Sequence, residues 1–101
     1  MSIKKQFLKS KPVCKVTFKV PKKDATDANE VYLVGEFNQW NETALPMQGL
    51  KSGDFKTTIE LEKGREYQFR YLVDGETWVN DSDADKYVST PFSSENSVLV
   101  I

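Results

Sequence analysis

Two tryptophans carry the most distinctive chemistry in this chain, and each sits beside turn residues. Trp40 lies near the end of the run Tyr32-Leu33-Val34-Gly35-Glu36-Phe37-Asn38-Gln39-Trp40-Asn41, which passes from an apolar strand pattern into a polar loop, and Trp78 follows Asp74-Gly75. The rest of the chain supplies little for making or breaking bonds. Histidine is absent, and the single cysteine, Cys14, lies on the apolar side of an alternating run, where it reads as inert core rather than as a nucleophile. Asp24, Asp27, Glu42, Glu60 and Glu62 read as surface charges, since no separation or pocket that would make an acid pair is visible in sequence. The acidic run Asp81-Ser82-Asp83-Ala84-Asp85 begins like a calcium loop. Its sixth position is Lys86 in place of glycine and its twelfth is Phe92 in place of a bidentate glutamate, so it is expected to be a solvated loop without metal. Flat aromatics with neither a nucleophile nor a base describe a surface that grips a flat ligand rather than one that cuts it.

The elements that would hold these rings are strands. From Pro12, Cys14, Val16, Phe18 and Val20 alternate with Lys15, Thr17 and Lys19, which is the pattern of a half-buried strand ended by Pro21. Lys22 to Asn29 is a polar loop. Glu30 to Gly35 is apolar on both faces and is expected to be a central strand covered on both sides. Pro46, within Leu45-Pro46-Met47, argues for a strand edge or a loop closing over the core. Lys51-Ser52-Gly53-Asp54 reads as a turn into a second alternating run, with Phe55, Thr57, Ile59 and Leu61 on one side. After Lys63-Gly64 comes the most aromatic strand, with Tyr67, Phe69, Tyr71 and Val73 on one side and Gln68, Arg70 and Leu72 on the other. Phe37, Tyr67, Phe69 and Tyr71 are assigned mainly to core packing. Asp74-Gly75 is a hairpin signal, because both residues tolerate the positive φ of a tight primed turn, and it delivers Trp78 and Val79 into a short return strand. A terminal strand follows Asn96-Ser97. No amphipathic helix of three turns appears, and the fold class expected is an all-β, immunoglobulin-like antiparallel sandwich.

At 101 residues the chain has room for one modest core, expected over residues 12–101 behind a frayed basic tail at 1–11. Basic and acidic residues number 14 and 15, so there is no broad positive field for nucleic acid. The lysines at the N-terminus are followed by no apolar signal region, and no segment approaches membrane-spanning length. The unpaired cysteine is compatible with a reducing compartment, and the expected location is cytoplasmic.

Two segments, Val31-Tyr-Leu-Val-Gly-Glu-Phe-Asn-Gln-Trp40 and Tyr67-Gln-Phe-Arg-Tyr-Leu-Val-Asp-Gly-Glu-Thr-Trp78, together resemble a known family. It comprises the early set β-sandwich at the N-termini of isoamylases and glycogen-branching enzymes and the glycogen-binding domain of the AMP-activated protein kinase β subunit. The likeness runs from about Pro12 to Ile101. It is nearest to small free-standing bacterial isoamylase early set proteins, whose pattern is met by Asp74-Gly75, Trp78, Asn80-Asp81, Ala84-Asp85, Tyr87, Pro91-Phe92 and Glu95-Asn96. The resemblance implies non-catalytic binding of α-1,4-glucan such as glycogen, starch or maltooligosaccharide. Trp40 and Trp78 take the places of stacking tryptophans, Arg70 that of a basic residue touching sugar hydroxyls, and Asn96 that of an asparagine completing the site. Phe92 and Ser94 fall on the loop that touches the glucan. Glucose has apolar C–H faces and a rim of hydroxyls, so flat rings and planar donors or acceptors suit it.

The chain carries one more residue between Gly75 and Trp78 than the kinase pattern does, which leaves open which way the Trp78 ring turns. Other roles also stay open. Trp40 could seal a corner of the core, Arg70 could be an ordinary surface side chain, and Asn96 could serve an Asx turn. The alternative function is an interaction or dimerisation module of the same fold that docks a protein partner or its own copy through a sheet edge. Neither cofactor nor catalysis is expected.

Overall fold

Alternation dictates the architecture. The computed structural model describes residues 3–25, 27–91 and 94–101, and in them nine strands form two antiparallel sheets. The first sheet has the order β1-β2-β5-β4, from Ile3–Phe7, Val13–Val20, Phe55–Glu62 and Gln48–Gly49. The second has the order β3-β6-β9-β8, from Val31–Gly35, Glu66–Val73, Glu95–Val100 and Lys86–Ser89, with β7 (Thr77–Val79) also paired to β6. β2 reads buried, exposed, buried along its length because its period of two sends Cys14, Val16, Phe18 and Val20 inward. Its partner β5 keeps the same register, with Val16 opposite Ile59 and Val20 opposite Phe55.

The core lies between the sheets. Phe18 meets Phe69 edge-on at 5.2 Å between ring centres, Phe69 meets Tyr71 at 5.7 Å, and Phe37 closes the cluster against Phe18 at 5.9 Å. Fully burying side chains of this size stabilises by about 1.5–3 kcal/mol each. Of the four aromatics assigned to the core, Tyr67, Phe69 and Tyr71 are buried where the alternation of β6 sends them, and Phe37 packs against the core from the turn that follows β3. The immunoglobulin-like sandwich expected from the strand pattern is the fold found.

Two expectations change in detail. Residues 3–7 form an edge strand instead of a frayed tail, pairing Ile3 with Phe18 and Phe7 with Cys14. Ile3 is buried, and Lys5 Nζ reaches across to Asp85 Oδ2 at 2.7 Å, which ties this edge to the second sheet. β3 is apolar on both faces as expected, but it pairs along its length only with β6 and so lies at the border of its sheet. The Leu45–Met47 segment closes that border through Leu33 N–H to Leu45 O at 2.9 Å and Met47 N–H to Val31 O at 2.8 Å. Proline there fits, because Pro46 makes an isolated bridge with Tyr32 and no ladder.

Candidate functional site

The outer face of β6 and β9 is built by the side chains that alternation turns away from the core. Val34 pairs with Arg70, Leu72 with Trp78, Gln68 with Val98 and Val88 with Asn96, so these eight residues share one face. Val34, Leu72 and Val98 are buried although they lie outside the main core cluster, and they form an apolar bed under that face. On it opens a groove of about 480 Å³ whose lining includes Trp40, Arg70, Trp78, Ser94 and Asn96. The structure thus brings together five of the site residues picked out in sequence. The sixth, Phe92, lies outside the described residues.

Trp40 reaches the groove through a tight loop that follows β3. Gly35 must be a glycine for reasons of space: a Cβ there would lie 2.6 Å from Gln68 O and 2.8 Å from Phe69 Cβ. A short 3₁₀ turn, Glu36–Asn38, then drops Phe37 into the core and sends Asn38 back over the strand end. Asn38 Oδ1 accepts from Gly35 N–H at 3.1 Å and its Nδ2 donates to Leu33 O at 3.0 Å. Gln39 and Trp40 both adopt left-handed backbone, with φ of 55° and 58°, which costs an ordinary residue about 1–2 kcal/mol. The Trp40 N–H donates to Gly35 O at 2.9 Å, and the ring stands 38% exposed.

Trp78 arrives differently. Asp74 and Gly75 have φ of 52° and 71°, and Glu76 N–H donates to Val73 O at 3.1 Å, which closes a primed turn. Glu76 occupies the loop, so Thr77 pairs with Val73 and Trp78 with Leu72. The extra residue is absorbed before the strand begins, and the Trp78 ring faces the groove at 41% exposure.

Between the rings runs a polar chain. Arg70 Nε donates to Asn96 Oδ1 at 2.6 Å and Nη2 to Ser94 Oγ at 2.7 Å; Asn96 Nδ2 donates to Gln68 Oε1 at 3.0 Å. Ser94 Oγ and Thr90 Oγ1 lie 2.8 Å apart. Arg70 is therefore held by neutral acceptors, and no carboxylate pairs with it among the described residues. Gln68, Ser89, Thr90 and Pro91 also line the groove and were not among the site residues expected from sequence. Gln68 was within reach of that reading, since it stands two positions from Arg70 on the same face.

The loop after Trp78 corrects one expectation. Asp81 is only 2% exposed and accepts from Tyr71 Oη–H at 2.6 Å, while its N–H donates to Ser97 Oγ at 2.9 Å. A carboxylate read as solvated is a buried anchor for the end of β7, because the aromatic strand carries a hydroxyl that needs an acceptor. Burial, and then the Asp81 charge and hydrogen bond, push the Tyr71 phenol well above its ordinary pKa, so it stays a donor. Among the described residues no group of acids, histidines or cysteines is placed to hold a metal ion.

Two aromatic walls, a polar floor and an open approach on the outer face of a sandwich define the class of a ligand-binding module. A family model described as the glycogen recognition site of AMP-activated protein kinase matches residues 18–98, and the chain belongs to that family of non-catalytic carbohydrate-binding modules. It is also 31% identical over 72 residues to the 5'-AMP-activated protein kinase subunit beta-1 of Sus scrofa, a match covering 71% of this chain and 54% of that protein. The chain thus spans about half the length of that curated relative.

Proposed function

We propose that the groove binds α-1,4-linked glucan, with Trp40 and Trp78 stacking on successive sugar faces while Arg70, Ser94 and Asn96 engage the hydroxyl rim. The resemblance brings Phe92, which lies outside the described residues, into the same reading. The observation that carries it is the convergence of two exposed indoles, one on the loop after β3 and one on β7, onto one floor of neutral amides and a single guanidinium. Indole faces suit the apolar C–H faces of glucose, and planar donors suit its hydroxyls. Membership of a glycogen-recognition family supports the ligand class. The family is one of non-catalytic carbohydrate-binding modules, which supports a role in binding without catalysis. The buried free thiol of Cys14 fits a cytoplasmic setting, where thiols stay reduced.

An open site with few anchors gives weak affinity, on the order of 10 µM to 1 mM, or roughly 4–7 kcal/mol. Titration calorimetry with maltoheptaose tests the reading. Trp40→Ala and Trp78→Ala are each expected to weaken binding about tenfold or more, and the double variant to abolish it, whereas Lys15→Ala on the opposite sheet leaves it unchanged. A folded parent protein that releases no heat at millimolar ligand overturns the reading.

A further inference from the structure

The hydrogen bonds under the groove have a direction that does not depend on knowing where any hydrogen sits. A guanidinium only donates. The Asn96 atom 2.6 Å from Arg70 Nε must therefore be the amide oxygen, which makes the other end of Asn96 its NH2 group. That NH2 lies 3.0 Å from the Gln68 side chain, so the Gln68 atom facing it must be the acceptor Oε1. Gln68 Nε2 is then the end of the chain. It has no partner among the described residues, and Gln68 lines the groove. Ser94 Oγ likewise accepts from Arg70 Nη2. The amide oxygens of the floor, at Asn96 and Gln68, each already accept one internal bond, whereas both N–H groups of Gln68 Nε2 are left for a ligand.

We propose that Gln68 is a further ligand-contacting residue of this groove, donating from Nε2 to a sugar oxygen. This rests on the glucan reading given above. Gln68 also positions the site, because its Oε1 fixes the Asn96 amide, which in turn orients Arg70. A glucan hydroxyl both donates and accepts, so its oxygen can take the Gln68 Nε2 N–H while its own proton points elsewhere. Gln68 is suited to terminate the chain, because a carboxamide supplies an acceptor at one atom and two donors at the other.

Two variants of the full chain separate contact from positioning. Gln68→Met keeps the length of the side chain but removes both acceptor and donor. Gln68→Glu keeps an oxygen for Asn96 Nδ2 but removes the donor. Maltoheptaose calorimetry is expected to show about a three- to tenfold loss in Gln68→Met, the size of one hydrogen bond, and a loss at least as large in Gln68→Glu. Thermal midpoints of both should stay close to the parent, since the side chain is partly exposed on the outer face. Parental affinity in Gln68→Glu alongside weakened Gln68→Met would reduce Gln68 to a positioning residue and overturn the contact. Parental affinity in both overturns the whole inference while leaving the glucan reading intact. A parent chain that binds no maltoheptaose overturns the glucan reading first and this one with it. Gln68→Glu decides the contact by itself, a loss supporting it and parental affinity overturning it, so a Gln68→Met chain that does not fold leaves the test intact.

Discussion

Trp40 and Trp78 stand equally exposed, at 38% and 41%, yet the chain places them by opposite means. Trp78 is a regular strand residue, in register with Leu72, and its side of the groove follows from a hairpin that any chain with Asp-Gly in that position could form. Trp40 sits on two successive left-handed residues without glycine, a conformation that persists only because its surroundings enforce it. Those surroundings are core: Gly35 pressed against the β6 backbone, Phe37 against Phe18 and Phe69, and Asn38 bridging the strand end. One wall of the groove is thus coupled to the fold of the whole molecule, and the other to one local ladder and the buried Asp81 behind it. The difference teaches that similar exposure hides unequal dependence on the core.

Gly35→Ala breaks the comparison most sharply. The new methyl would meet a backbone oxygen at 2.6 Å and a Cβ at 2.8 Å, neither of which is the movable end of a side chain. Overpacking of this kind is expected to cost about 3 kcal/mol. The Gly35 φ of −173° is ordinary extended backbone, so the whole effect is steric. Urea unfolding measures it, and glucan affinity should fall with it because the Trp40 loop hangs from the same residue. An unchanged unfolding midpoint would show that the β3–β6 contact can open without cost.

Tyr71→Phe probes the other wall. It removes the hydroxyl that donates to Asp81 Oδ2 and leaves the ring in the core. Hydrogen bonds to charged groups contribute about 2 kcal/mol, and that loss is expected in unfolding experiments. Amide exchange should quicken in β7 and the Asn80–Asp81 segment while Gly35 to Trp40 keeps its protection. Equal quickening on both sides would mean that the two walls share one anchor.

These anchors explain what could and could not be read from sequence. Alternation in β2, β5 and β6 was legible because a period of two specifies which residues face inward, and the Asp74-Gly75 turn because few residues tolerate its φ. Five of the expected site residues converge: Trp40, Arg70 and Trp78 were carried by the two motifs, Ser94 and Asn96 by the rest of the resemblance, and register brings them to one face. The buried state of Asp81 was hidden, since an acid between Asn80 and Ser82 looks solvated until the Tyr71 hydroxyl is found above it. The border position of β3 was hidden too. Its apolar faces report coverage by side chains and say nothing of which edges carry hydrogen-bond partners. The pairing of Ile3–Phe7 escaped for a related reason: a lysine-rich run reads as solvent-facing, yet lysines are common on edge strands, where they discourage further pairing.

That edge provides the smallest effect and a control for both walls. Asp85 Oδ2 accepts from Lys5 Nζ and from Val100 N–H, each at 2.7 Å, and joins β1 to β9 at a place that does not line the groove. Partial burial pulls the Asp85 carboxyl upward, but the Lys5 hydrogen bond, the Val100 N–H and the Lys5 charge outweigh it and leave the pKa lowered. A folded value below the unfolded one, about 3.9, means that the stabilisation is fully present above that pH. It is lost as the pH falls through the lowered folded value. Lys5 and Asp85 side chains are 26% and 33% exposed, so the pair contributes little. Asp85→Asn should cost about 0.5–1 kcal/mol at pH 7, and the gap from the parent should close in acid once both proteins are neutral at this position. Maltoheptaose affinity at pH 7 should not move. A gap that persisted in acid would assign the effect to the shape of the side chain instead of its charge. A change in affinity would show that the β1 edge, far from either tryptophan in the strand order, is coupled to the groove after all.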